Sequence, residues 1–158
     1  MHICFVCTGN ICRSPMAELV FKEQARRAGM GDRVRTSSAG IEGWHVGKPA
    51  DPRTVKVLVA DGYPSAHVAA RVSEEQLRAD VLVAMDSGHG DALVTMVDDA
   101  TRVRLLRSFD PAARQLDVPD PYHGADGGFV EVLGMVKAAM PGLLTWTRSQ
   151  LALQGGAL

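Results

Sequence analysis

The sequence predicts a small doubly wound α/β domain: a four-stranded parallel sheet with helices on both faces. Three observations carry this reading. Strand-like and helix-like patterns alternate along the chain, the signature of a parallel sheet covered by crossover helices. Two short, continuously apolar runs, "HICFV" (2–6) and "DVLVAMD" (80–86), read as buried strands. The 158 residues suffice for one domain, 1–158, that buries about two-thirds of its unfolded surface.

Each element follows from local pattern. After the strand 2–6 comes a turn-rich segment, then a helix over 15–29. Ala17, Val20, Phe21, Gln24 and Ala28 recur there at helical spacing, four of the five apolar. Ser14 is the expected N-cap, Pro15 suits the first helical position and Gly29 ends the helix. "RVRTSSAG" (33–40) reads as a second strand running into a loop. A helix is expected over 51–61, closed by Gly62 and Pro64, and a short one over 73–79. The strand 80–86 follows, then another at 101–106. Residues 107–125 carry Pro111, Pro119 and Pro121 and read as a long loop. A C-terminal helix spans roughly 126–152, with Pro141 expected to kink or break it. Four parallel strands of this kind make a flavodoxin-like sheet, whose ligands sit beyond the carboxyl ends of the strands near a switch in strand order. No internal repeat or linker interrupts the pattern.

Composition excludes several classes. The formal charge is -1, from 17 basic and 18 acidic side chains, so no global field draws the chain to nucleic acid or a membrane. No continuous apolar run reaches the ~18 residues of a bilayer span. The start, "HICFV", lacks the basic segment and long apolar core of a signal peptide. All three cysteines fall within residues 4–12, a poor disulfide framework that fits a reducing compartment. These features point to a soluble cytoplasmic protein.

The chemistry concentrates between the first strand and first helix, in Cys7-Thr8-Gly9-Asn10-Ile11-Cys12-Arg13-Ser14. Successive backbone N–H groups in such a turn form a concave anion site, and the helix N-terminus adds positive potential. Gly9 is expected to relieve the backbone where the loop bends. Arg13 offers a planar guanidinium that can grip two phosphate oxygens at once. Cys7, beneath the anion site, is expected to be a thiolate, a nucleophile facing phosphorus. Ser14 can donate a hydrogen bond to that sulfur and ease its departure. Two cysteines five apart make at most half a zinc site, since zinc takes four N/S ligands. Cys4, within the strand, reads as a small buried hydrophobe.

A displaced phenolate needs a proton, so a carboxylic acid must lie elsewhere in the chain. "LDVPDPYHG" (116–124) supplies Asp117 and Asp120. Asp120 stands between two prolines that limit its freedom. Asp117 reads as a solvated loop residue.

"VCTGNICRSPMAE" resembles the signature of the low-molecular-weight protein tyrosine phosphatases, matching C-x-G-N-x-C-R-S-P without a gap. The resemblance implies Cys7 as nucleophile, Arg13 as phosphate clamp and the backbone of 8–14 as phosphate cradle. It makes Cys12 the thiol that pairs with Cys7 under oxidation and shields it from over-oxidation. Asp120-Pro121-Tyr122 matches the family's Asp-Pro-Tyr, which implies Asp120 as general acid and then general base. "TSSAG" (36–40), "DGYPSAHVAA" (61–70) and "AMDSGH" (84–89) also fall where the family has similar segments. Ser38 and His67 match residues that support the loop asparagine, here Asn10. Trp44 and Tyr122 match aromatics that wall the substrate pocket, and Tyr122 aligns with a tyrosine that is itself phosphorylated in some relatives. No cofactor or metal is implied, since Arg13, the loop amides and the helix terminus counter the phosphate charge.

The implied activity is hydrolysis of phosphotyrosine in proteins by a monomer, with export without a signal peptide left open. Two alternatives share the fold. Protein arginine phosphatases carry threonine where this chain has Ile11. Arsenate reductases relay a disulfide through downstream cysteines, and this chain has none after Cys12. A non-enzymatic phosphoprotein-binding module would lack the nucleophile or the acid, and both Cys7 and Asp120 are present.

Overall fold

The computed structural model describes residues 1–156. Its elements run β1 (His2–Cys7), α1 (Arg13–Arg27), β2 (Arg35–Gly40), α2 (Pro52–Ala60), α3 (Glu74–Leu77), β3 (Val81–Ala84), α4 (Ser87–Val94), β4 (Val103–Leu105) and α5 (Gly127–Gly155). The four strands are all parallel, in the order β2-β1-β3-β4. The chain therefore steps outward from β1 to β2, then crosses back over β1 to place β3 on its other side. The switch in order lies between β1 and β3, where their carboxyl ends diverge and a crevice opens.

Alternation along the strands splits the core into two layers. Ile3, Phe5 and Cys7 of β1 face a large cluster with Met16, Val20 and Phe21 of α1 and Phe129, Val136 and Met140 of α5. Cys4 and Val6 face a smaller cluster with Ala39, Leu82, Ala84 and Leu93 of α4. Cys4 is fully buried, as a small hydrophobe should be, and burial pushes its thiol up to about 12.

Several expected boundaries shift for physical reasons. α1 begins at Arg13, with Cys12 rather than Ser14 at its N-cap. The Ser14 hydroxyl is drawn to the sulfur of Cys7, 2.9 Å away, and is not spent on capping. Pro15 is accommodated in the first turn, whose N–H groups have no intrahelical acceptor in any case. The sequence reading missed α4, an eight-residue helix that follows β3 directly and is capped by Asp86. The loop 107–125 opens with a 3-10 turn, Leu106–Phe109, and is otherwise irregular.

Pro141 does not break α5, which is continuous over 29 residues, about 43 Å at 1.5 Å per residue. By length and composition α5 could cross a bilayer, which the short apolar runs did not suggest. A stripe of it, from Phe129 through Val132, Val136, Met140, Leu143 and Leu151, lies in the core. At Gly142 the helix meets the 3-10 turn so closely that a Cβ would lie 2.0 Å from the carbonyl oxygen of Phe109.

Gly142→Ala is therefore expected to destabilise the fold by about 3 kcal/mol, since backbone must move. Thermal unfolding should fall by roughly 6–12 °C; an unchanged Tm would show that the contact between α5 and the turn yields freely.

Candidate functional site

β1 ends at Cys7, and the chain then loops through residues 8–12 into α1 across the crevice between β1 and β3. The loop is shaped by Asn10, which sits at φ 58° and has no solvent exposure. Asparagine tolerates this left-handed conformation better than most residues. Gly9, expected to supply the bend, is not left-handed; a Cβ there would lie 2.8 Å from the ring of His45, which would have to shift. The turn folds the amide of Asn10 back onto the sulfur of Cys7, N to Sγ 3.3 Å.

The carboxamide of Asn10 is fully employed. Its Oδ1 accepts from the backbone N–H of Ala70 at 2.9 Å, which fixes the orientation of the amide. Its Nδ2 donates to Ser14 Oγ at 2.8 Å and to Ser38 Oγ at 2.9 Å. Having accepted from Asn10, Ser14 directs its own proton to Cys7 Sγ. Ser38 likewise directs its proton to Glu18 Oε2 at 2.7 Å. His67 donates through Nε2 to the carbonyl of Asn10 at 2.7 Å. Ser38 and His67 thus stand beside Asn10, while Glu18, at the far end of the chain of hydroxyls, was not singled out in the sequence. Its signal was available: a lone carboxylate on the otherwise buried first turns of α1.

Arg13 is buried, and two groups hold it. Nη1 donates to Asp86 Oδ2 at 2.9 Å and to the carbonyl of Val118 at 3.0 Å. This leaves the Nε–Nη2 edge of the guanidinium to grip two anionic oxygens. Nη2 lies 3.5 Å from Thr8 Oγ1 and 3.6 Å from Asp120 Oδ2. Asp86 stands at the carboxyl end of β3 and caps α4. Burial opposes its charge, yet the amide and ring of His89 and the Arg13 guanidinium hold its carboxyl below the usual range.

His89 is a second group that the sequence reading passed over, although Asp86-Ser87-Gly88-His89 has the spacing of a capping box. The N–H of Asp86 donates to His89 Nδ1 at 3.2 Å. The proton of the neutral ring therefore sits on Nε2 and donates to Thr8 Oγ1 at 2.8 Å. Burial, then the charge of Arg13, lowers its pKa to about 4, against the pull of Asp86.

A pocket of about 120 Å³ opens above Cys7, lined by Thr8, Gly9, Ile11, Cys12 and Arg13 at its base. Trp44, His45, Asp120, Tyr122 and His123 form its upper wall. Trp44 is 68% exposed and Tyr122 39%, an apolar rim at the mouth. Asp120 is held by the N–H of Tyr122, which donates to Oδ1 at 3.0 Å. Asp117 lies outside the pocket, its carboxylate accepting from the amide and hydroxyl of Ser87 at the head of α4. Of the residues picked from the sequence, Cys7, Thr8, Gly9, Ile11, Cys12, Arg13, Trp44, Asp120 and Tyr122 line the pocket, Ser14, Ser38 and His67 are hydrogen-bonded to Asn10, and Asp117 stands apart.

A cysteine met by a loop amide, a clamped arginine and an aspartate at the mouth suit nucleophilic attack on a phosphate ester. Comparison with known proteins agrees. The family model for low molecular weight phosphotyrosine protein phosphatase matches residues 2–154. The chain belongs to this family. It is 52% identical to low molecular weight protein-tyrosine phosphatase A of Mycobacterium tuberculosis over 157 residues, covering 98% of this chain and 96% of the relative. Among solved structures it is similar to YfkJ from Bacillus subtilis, at TM-score 0.89 and 34% identity, covering 95% and 96% of the two chains. It also superposes on the YwlE arginine phosphatase at TM-score 0.84 and 31% identity, covering 94% and 96%. That structure is of a mutant whose active-site serine is phosphorylated.

The lowered pKa of His89 has a measurable consequence. Unfolded, the ring takes a proton near pH 6.5; folded, it refuses one until about pH 4. Its contribution to stability is thus lost as pH falls from 6.5 to 4. His89→Gln keeps the capping geometry without the titration. Between pH 7 and 4.5, urea unfolding should cost the wild type roughly 2–3 kcal/mol more than this variant. Equal acid sensitivity would contradict the buried neutral ring.

Proposed function

We propose that this chain hydrolyses phosphotyrosine in proteins through a phosphocysteine intermediate, with no metal ion. The observation that carries the reading is the pairing of Cys7 Sγ, on the floor of the anion loop, with the Asp120 carboxyl at its mouth, on either side of Arg13. Family membership supports the same chemistry.

The phosphoryl group enters with its oxygens on the 8–14 amides and the Nε–Nη2 edge of Arg13. The amides and guanidinium offset the charge that spreads over those oxygens in the transition state. The Cys7 thiolate attacks phosphorus from below, in line with the departing phenolic oxygen. As that P–O bond breaks, Asp120 passes its proton to the oxygen. A water then attacks the S–P bond's phosphorus from the same mouth, giving its proton back to Asp120. Sulfur leaves as thiolate, met by the hydroxyl of Ser14, and inorganic phosphate departs.

Cys12 is proposed as the redox guard of Cys7. Burial, aided by the Asp51 carboxylate, pushes its thiol up to about 12, so it stays protonated and does not compete as a nucleophile. Trp44 and Tyr122 raise the pocket wall to the height of a flat aromatic ester, which favours phosphotyrosine over the shorter phosphoserine. Ile11, at the pocket base, presents only hydrocarbon there, and this supports phosphotyrosine over the polar guanidino group of phosphoarginine. The reading carries with it a single-domain, monomeric, cytoplasmic enzyme whose partners are tyrosine-phosphorylated proteins.

Turnover of phosphotyrosine, phosphoserine and phosphoarginine peptides by wild type, Cys7→Ser and Asp120→Ala tests this. Phosphotyrosine should lead in kcat/KM by roughly a hundredfold. Cys7→Ser should abolish turnover and Asp120→Ala should lower kcat by about 10²–10⁴-fold. Full activity of Cys7→Ser, or equal rates on the three peptides, would overturn it.

A further inference from the structure

We propose that Arg53 is a positioning residue for the acid: it ties the segment carrying Asp120 to the phosphate loop, so that the two halves of the site keep one geometry. The inference rests on the assignment of Asp120 as general acid.

The tie can be followed bond by bond. The N–H of Asp51 donates to the carbonyl of Ile11, in the phosphate loop, at 2.9 Å. The buried carboxylate of Asp51 accepts from Arg53 Nε at 3.0 Å and from Nη2 at 2.9 Å, a two-point contact. It also caps α2 by accepting from the backbone N–H of Arg53 at 2.8 Å. The same Nη2 donates to the carbonyl of Tyr122 at 3.0 Å. The N–H of Tyr122, in turn, holds Asp120 Oδ1. One residue, Tyr122, thus receives Arg53 on its carbonyl and orients the acid with its amide. The guanidinium also lies 4.4 Å over the ring of Phe129 and 5.6 Å from that of Tyr122, so it braces the start of α5 and the pocket wall.

The opposite end of the segment has its own anchor. The N–H of Val118 donates to the carbonyl of Met85, beyond β3, at 2.8 Å, and its carbonyl accepts from Arg13. Only Pro119, Asp120 and Pro121 span the two anchors. Prolines have no N–H with which to fasten themselves, so the backbone at Asp120 is placed by Val118 before it and Tyr122 after it, while Arg13 Nη2 lies 3.6 Å from its carboxylate. Arg53 is the side chain that secures the second anchor. Lysine could not replace it in full, since a single ammonium does not present a fork to Asp51 together with a donor to Tyr122 and a flat face to Phe129.

The test separates help to the acid from general damage by the leaving group. Phosphotyrosine needs its phenolate protonated; 2,4-dinitrophenyl phosphate releases a weakly basic phenolate that does not. Arg53→Met keeps an unbranched apolar side chain and removes the fork, and Arg53→Lys keeps the charge. In both, kcat/KM on phosphotyrosine should fall, by about ten- to a hundredfold in Arg53→Met and by less in Arg53→Lys. On the dinitrophenyl ester both should stay within about twofold, with inhibition by inorganic phosphate unchanged. Arg53→Met combined with Asp120→Ala should lose no more than Asp120→Ala alone. Equal losses on the two esters, or additive losses in the double variant, would overturn the proposal. If Asp120→Ala itself fails to discriminate between the esters, the acid assignment falls, and this inference with it.

Discussion

Asn10 lies in the middle of the phosphate loop with a left-handed backbone and no contact with solvent, so every polar group it carries must be satisfied inside the protein. Two donors and one acceptor of its carboxamide find Ser14, Ser38 and Ala70. Leaving even one of these unpaired would cost about 1–3 kcal/mol, which makes a relaxed loop expensive. The constraint fixes three things together: the amide that reaches the sulfur of Cys7, the direction of the Ser14 proton, and the distance between β2 and α1. Cys7 is served by a scaffold that cannot easily rearrange around it.

The fold supplies the other half through its topology. Because β3 lies beside β1, Asp86 at its carboxyl end comes within reach of Arg13 at the head of α1. The same guanidinium holds the carbonyl of Val118. The proposed phosphate clamp, the switch point and the segment carrying the proposed acid are therefore joined through one side chain. His89 adds a fixed donor to Thr8 from the opposite wall. The site is preorganised from both sides of the crevice, as catalysis by charge stabilisation requires.

Local pattern made much of this legible. Short apolar runs and the alternation of strand-like with helix-like patterns marked all four strands and the longer helices, and the seven-residue spacing of Cys7 and Ser14 between strand and helix marked the loop. Asp120 was legible because two prolines flank it. What escaped were roles created by long-range packing. Nothing local distinguishes Asp86 from any helix-capping aspartate, and the helix it caps is short, glycine-containing and barely amphipathic. Ser14 looked like a cap because its position suits one, and only the proximity of Cys7 diverts its hydroxyl. Arg53 was not singled out, since its partners Asp51 and the carbonyl of Tyr122 are brought together only by the fold. Pro141 was expected to kink or break the C-terminal helix, but the packing of α5 against α1, α2 and the 3-10 turn keeps it continuous.

The Asn10 side chain, beyond its backbone conformation, holds Ser14 beside the proposed nucleophile Cys7. Asn10→Gly tests it most directly, because glycine accepts the left-handed conformation but removes the three carboxamide bonds. At about 1 kcal/mol each, their loss should lower kcat/KM on a phosphotyrosine peptide by roughly a hundredfold in a protein that still unfolds cooperatively. Activity within about threefold of wild type would contradict the account, since backbone geometry alone would then suffice to hold Cys7 and Ser14 in place.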